Sequence, residues 1–267
     1  MSLLIRNAKA IITCDDNDSV IKDSNIFIND GIIEYIGKEK FQADQVIDAK
    51  DMWVYPGLIN THHHLYQYFT RNLPDVQNME LFDWLKYLYE IWKNLNEDSI
   101  KYSSFIGMGE LLKSGCTTVF DHHYVFPKNS ENFIDIQFEV QEKLGIRMHA
   151  SRGSMSLSKK DGGLPPDSVV QSMDKILLDS ERIIKKYHDP SKNSMRQIVL
   201  ASCSPFSVTG ELMIESAKLA RKYGVMLHTH LSEAKDEKDF ILSKFSKRPL
   251  EYIDSLNWLG EDVWFAH

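Results

Sequence analysis

The chain has 267 residues, room for one large domain or one and a half ordinary ones. Its 43 % apolar and 26 % charged content is that of a soluble globular protein. A net charge of -7 argues against nucleic acid as the main partner, because phosphate binding wants a basic face. Cys14, Cys116 and Cys203 are scattered and form no CxxC pair, so they read as reduced thiols in a cytosol rather than as a disulfide framework. No apolar run nears ~20 residues, so no membrane span is expected. The start "MSLLIRNAKA" has no apolar h-region, and a cytoplasmic protein is expected.

In chain order, the first fifty residues are strand-like. "SLLIRNAKAIIT", "SNIFINDGIIEYIG" and "QVIDAKDMWVYPG" are Ile- and Val-rich runs separated by turn signals. Asn29-Asp30-Gly31 between two Ile-rich runs predicts a hairpin. Residues 1–55 thus read as a small antiparallel β unit. From Pro56 short strands alternate with amphipathic helices. The strands are "GLINTH", "CTTVFDHH", "GIRMHAS", "QIVLASCS", "GVMLHTHL" and "DVWFAH". Helices are expected near 79–93, 98–113, 131–143, 167–187, 209–222 and 235–243, and Val169, Met173, Ile176 and Leu177 fall at helical spacing within the fourth. The Gly- and Pro-rich loop "SLSKKDGGLPPDS" is expected to open that helix at "PPDSVV". Such alternation means βαβ units and a parallel sheet over 56–267, with six βα strands.

Polar and ionisable residues gather at the C-terminal ends of all six strands, the edge where a parallel α/β sheet or barrel carries its active site. In the first strand, His62 and His64 lie two apart and share a face, while His63 points elsewhere. A His-x-His pair there is either a half-site for a divalent ion or a hydrogen-bonded polar strand end. "LHTHLSE" adds His228, His230 and Glu233. His230 could complete a three-histidine set, and Glu233 stands where a carboxylate moves protons to and from a water on the metal. His228 reads better as a supporting or core histidine. His267, after "DVWFA", could steady charge at the attacked centre, or be a frayed terminal residue.

"PGLINTHHH", "CTTVFDHH", "LHTHLSE" and "WFAH", in that order, resemble the amidohydrolase superfamily, in its branch of aminohydrolases acting on nitrogen heterocycles. The resemblance implies an α/β fold: a (β/α)8 TIM barrel, of which about six βα units are present in 56–267. It makes residues 1–55 the N-terminal part of a composite β-sandwich. It implies one divalent metal, zinc or else iron, held by His62, His64 and His230, with Glu233 shuttling protons and His267 near the reacting centre. No lysine ends the fourth strand, which speaks against a binuclear, carboxylated-lysine centre. The family's remaining ligand, an aspartate after strand eight, has no counterpart. The chain is therefore expected to be the N-terminal part of a longer protein, truncated after strand six and inactive by itself.

"LYQYFTRNLP", "DHHYVFP", "HASRGSMSLSKKDGGLPPDSVV" and "CSPFSVT" look like the 8-oxoguanine deaminase group, and hydroxylated s-triazine aminohydrolases share much of this wording. The implied reaction is hydrolysis of 8-oxoguanine to urate and ammonia, and the implied partner is a small heterocycle, with a homo-oligomer an open expectation at full length. Substrate contacts are weighed at Gln67, an amide that both donates and accepts, at Arg152, a forked donor, and at His123 and Tyr124. Their bland readings are a surface loop residue for Gln67, an ion pair with Asp167 or Asp161 for Arg152, and loop packing for Tyr124. Rival functions are a guanine or hydroxy-s-triazine hydrolase, a non-catalytic scaffold, and an inactive fragment.

Overall fold

The computed structural model describes residues 1–128 and 130–267, which divide into two compact units, Met1–Leu58 and Ile59–His267. The first is one sheet of five strands, β1 (Ser2–Ile12), β2 (Val20–Asn29), β3 (Ile32–Gly37), β4 (Gln45–Asp48) and β5 (Trp53–Val54). Asp30 and Gly31 both take positive φ, 47° and 80°, so the predicted hairpin between β2 and β3 closes through a left-handed two-residue turn. The sheet is mixed: β4 and β5 both pair with β1 in parallel. This corrects the expectation of a wholly antiparallel unit. Alternation in these strands could not settle direction, because both kinds of pairing share a period of two. Ala8, Ile11, Ile26 and Ala49 form this unit's small core.

The second unit carries β6 (Leu58–His63), β7 (Cys116–Asp121), β8 (Arg147–Ser154), β9 (Arg196–Ser202), β10 (Met226–His230) and β11 (Val263–Ala266). They form one sheet in sequence order, with parallel pairing from β7 through to β11. The sheet curls into a nearly closed barrel: Trp264 of β11 donates its indole N–H to the Thr61 carbonyl of β6 at 3.4 Å. Around it lie α1 (Leu81–Trp92), α2 (Glu97–Lys113), α3 (Phe133–Leu144), α4 (Met173–Tyr187), α5 (Gly210–Tyr223), α6 (Lys235–Phe245) and α7 (Pro249–Asp254). Trp92, Tyr89, Phe133, Phe138, Phe206 and Trp258 are fully buried between helices and strands. No helix among the described residues is long and apolar enough to cross a membrane.

Local chemistry sets the helix starts. Asn96, Ser172 and Thr209 each accept a hydrogen bond from the backbone N–H three residues on. The expected start of the fourth helix at 167 is thereby corrected to Met173. The Gln171 N–H is tied back to the Met155 carbonyl, and Ser172 is the cap. Val169 is buried in the preceding turn, so its apolar character mimicked helical periodicity. The short helix α7, with Pro249 in its first turn, was absent from the sequence reading.

Candidate metal centre

Strand parity places the histidines as their spacing requires. The rings of His62 and His64 lie 4.7 Å apart and nearly perpendicular, facing the barrel interior. His63 turns the other way and stacks on Tyr68 at 5.7 Å. From β10, His230 comes within 4.9 Å of His62 and 5.1 Å of His64, ring to ring. A fourth histidine, His122, joins them just past β7. One nitrogen from each of His62, His64, His122 and His230 lies within 4.8 Å of the others.

Hydrogen bonds fix which nitrogens carry protons. His64 Nδ1 donates to the His122 carbonyl at 2.7 Å, and His230 Nδ1 donates to the Cys203 carbonyl. His228 Nδ1 lies 3.0 Å from the Trp264 carbonyl, which can only accept. Burial holds these rings neutral: His228 is pushed down to about 2, His230 to about 3 and His62 to about 4, with neighbouring imidazoles adding to the effect. A neutral His228 that donates through Nδ1 must accept through Nε2, so His62 Nδ1 donates to it at 3.1 Å. The Nε2 atoms of His62, His64 and His230 are then bare lone pairs. Those of His64 and His230 face each other at 3.2 Å with no proton to share, and His62 Nε2 is buried without a partner among the described residues. Converging lone pairs repel unless a cation sits among them. The donor set therefore fits a borderline ion such as zinc, whose ligands are neutral imidazoles braced through their second nitrogen.

Beside the cluster stand Glu233 and His267, with His267 Nε2 3.8 Å from Glu233 Oε1. Burial raises the Glu233 carboxyl above its ordinary value, while His267 acts against that rise. Glu237, fully buried at the start of α6, accepts from the backbone N–H groups of Ser232 and Glu233, at 3.0 and 2.9 Å. It holds the turn, in which Ser232 has φ 60°, that delivers Glu233 to the site. A cavity of about 200 Å³ opens against His62, His64, His230, Glu233 and His267.

Of the residues weighed for substrate, Gln67 and Tyr124 line this cavity. His123 and Arg152 do not. His123 turns into the core, its Nε2 donating to the Val125 carbonyl at 3.0 Å and its ring against Tyr66, Phe126 and Phe133. Arg152 is fully buried with its donors engaged: Asp179 at 2.6 Å, Gln171 at 2.7 Å and the Gly153 carbonyl. Its guanidinium lies 3.9 Å over Phe126. Its ion-pair partner is Asp179, not Asp167 or Asp161. A Cβ at Gly153 would meet the His123 carbonyl oxygen at 2.2 Å, so glycine is required where β8 passes the end of β7. Sequence reading set His122 and Cys203 among the ionisable residues at the strand ends without giving either a role, and it missed Glu237. Parity signalled the first, since His122 stands two residues after the inward Phe120.

A curled parallel sheet with a histidine cluster at its strand ends is an arrangement able to hold a metal ion. A profile of the amidohydrolase family matches residues 53–267, and the chain belongs to that family. It is 47 % identical over 267 residues to the 8-oxoguanine deaminase of Pseudomonas aeruginosa, covering 98 % of this chain and 59 % of that protein. It is 36 % identical to the hydroxydechloroatrazine ethylaminohydrolase of Pseudomonas sp. strain ADP, covering 96 % and 56 %. Among solved structures, atrazine chlorohydrolase from Arthrobacter aurescens TC1, complexed with zinc, superposes with a TM-score of 0.95 at 31 % identity, covering 99 % of this chain and 60 % of that one. Guanine deaminase from C. acetobutylicum, with bound guanine, superposes with a TM-score of 0.85 at 25 % identity, covering 100 % and 62 %. The chain thus spans less than two thirds of the length of each of these relatives.

Proposed function

We propose that the protein is a metal-dependent hydrolytic deaminase of a purine-like heterocycle, converting 8-oxoguanine and water to urate and ammonia. The observation that carries this reading is the convergence of three bare imidazole nitrogens beside the Glu233–His267 pair. The similarity to an 8-oxoguanine deaminase supports the choice of ring. Zinc is the first candidate, since a structurally similar hydrolase holds it, and iron is the second. When bound, the ion supplies Lewis-acid activation of water near neutral pH.

His62, His64 and His230 hold the ion. Glu233 takes a proton from the attacking water as the new C–O bond forms at the carbon bearing the exocyclic amine. It then delivers that proton to the amine nitrogen, the C–N bond breaks, and ammonia leaves. One water is consumed: its oxygen becomes the ring carbonyl that replaces the amine, one of its protons leaves in the ammonia, and the other passes from the new hydroxyl to the adjacent ring nitrogen. A carboxyl raised by burial suits both directions of that transfer, because it holds the proton between the two steps. His267, beside Glu233, steadies the developing charge. Gln67 offers a donor and an acceptor in the ring plane, and Tyr124 forms a wall. A cavity near 200 Å³ suits a compact ring better than a bulky ligand.

A second reading is a hydroxy-s-triazine or guanine hydrolase, favoured by the 36 % identity to an ethylaminohydrolase and by the guanine deaminase likeness. Release of ammonia or ethylamine is measured with the zinc-loaded protein at its full encoded length on 8-oxoguanine, guanine and a hydroxylated ethylamino-triazine. Preferred ammonia release from 8-oxoguanine supports the first reading. Preferred turnover of guanine or of the triazine installs the second, and no release from any ring contradicts both.

A further inference from the structure

Asp121 has no part in the reading above, yet its carboxylate is fully buried at the end of β7, the strand beside β6. β7 turns Phe120 and His122 into the barrel, where both rings meet His228, and parity sends Asp121 to the opposite face. There Oδ1 accepts from the Leu65 N–H at 2.7 Å, and Oδ2 accepts from the Gln137 amide of α3 at 2.6 Å. Neither partner is a cation. Burying a carboxylate against neutral donors costs stability relative to an apolar side chain of similar size, so stability does not account for it.

The bond to Leu65 says what the group is for. Two consecutive residues of the β7 end make three bonds to the three consecutive residues that leave β6. The His122 N–H donates to the His63 carbonyl at 2.7 Å, His64 Nδ1 donates to the His122 carbonyl at 2.7 Å, and Asp121 takes the Leu65 N–H. Leu65 opens the 3-10 turn Leu65–Thr70, which carries Gln67 to the cavity. His64, at the head of that turn, gives it no side-chain cap, and Asp121 supplies one from the neighbouring strand. The carboxylate thus fixes the backbone just after His64, while the His122 carbonyl fixes the ring. We propose that Asp121 is a positioning residue for the metal site, holding the backbone of His64 and the turn that bears Gln67 through the Leu65 N–H. The proposal rests on the metal reading above and adds no ligand to it.

The test is zinc titration of the protein at its full encoded length, with the visible spectrum of the cobalt-substituted protein to report ligand geometry and circular dichroism to check folding. Wild type, Asp121→Ala, Asp121→Asn and His62→Ala are compared. Asp121→Ala should bind zinc roughly 10- to 100-fold more weakly and alter the cobalt spectrum. Asp121→Asn should recover most of that loss. Its carbonyl oxygen still accepts from Leu65, and its amide can donate to Gln137 Oε1, which is buried without a partner among the described residues. Unchanged affinity and spectrum in a folded Asp121→Ala, whatever its loss of stability, overturns the proposal. So does an Asp121→Asn that binds no better than Asp121→Ala. Should Asp121→Ala fail to fold, hydrogen exchange of the Leu65 amide in wild type decides. Coupling is reciprocal, so protection that rises on zinc loading supports the proposal, and protection indifferent to zinc overturns it. If His62→Ala binds zinc as tightly as wild type, the metal reading is refuted, and the proposal with it. Loss of binding in His62→Ala together with unchanged binding in Asp121→Ala removes this proposal alone.

Discussion

Glu233 shows how one residue's chemistry follows from its surroundings. Burial lifts its carboxyl, and the proton shuttle needs the ionised form to start each cycle. The kcat/KM profile should therefore carry an acid limb, falling as pH drops and Glu233 becomes protonated, and Glu233→Gln should remove that limb from its residual activity. A limb that persists unchanged in Glu233→Gln would contradict the role. Glu233→Gln should lower turnover by roughly 10²- to 10⁴-fold while zinc content stays near wild type. His228 acts at one remove. It accepts from His62 Nδ1 and is itself fixed by the Trp264 carbonyl, so His228→Ala should weaken zinc affinity by roughly 10- to 100-fold. His228→Gln, which keeps an acceptor, should recover part of that loss, as isothermal titration would read. At this scale the sequence was legible wherever parity decides. His62, His64 and His230 converge because residues two apart on a strand share a face, and His63 is excluded by the same rule. The same parity pointed to His122, and the sequence reading took His123 instead.

At the scale of elements, Arg152 is a brace between β8, the loop before α4, and α4 itself. Its partners Asp179 and Gln171 lie 27 and 19 residues away. Nothing local in the sequence names them, which is why a forked donor at a strand end reads as substrate-binding. Arg152→Met removes one of the two arginine partners of Asp179, leaving Arg182 at 2.8 Å, and should cost about 1.5–3 kcal/mol in urea denaturation. A loss below ~1 kcal/mol would show the network to be incidental. The start of α4 was misplaced for a related reason. Burial of Val169 and the tie from Gln171 to Met155 are tertiary effects that apolar spacing cannot report. By contrast, α2 and α5 begin and end within about a residue of expectation, because Asn96 and Thr209 cap them and Gly224 closes α5 in the left-handed conformation.

At the scale of the whole molecule, alternation of strand and helix was enough to read a parallel sheet, while its closure toward a barrel was implied only by the resemblance of the strand-end motifs to the amidohydrolase superfamily. The mixed pairing in residues 1–58 was not legible, because strand direction depends on connections the side-chain pattern does not encode. Substrate choice also belongs to this scale. Gln67 and Tyr124 line the cavity, but they do not by themselves separate an oxidised purine from a triazine. The measurement that tests the central claim most directly is ammonia release from 8-oxoguanine by the protein at its full encoded length, before chelation, after chelation, and after zinc is restored. The account predicts turnover that chelation abolishes and zinc returns, with urate formed mole for mole with ammonia. Turnover that survives complete removal of metal, or none on 8-oxoguanine with zinc bound, would contradict it.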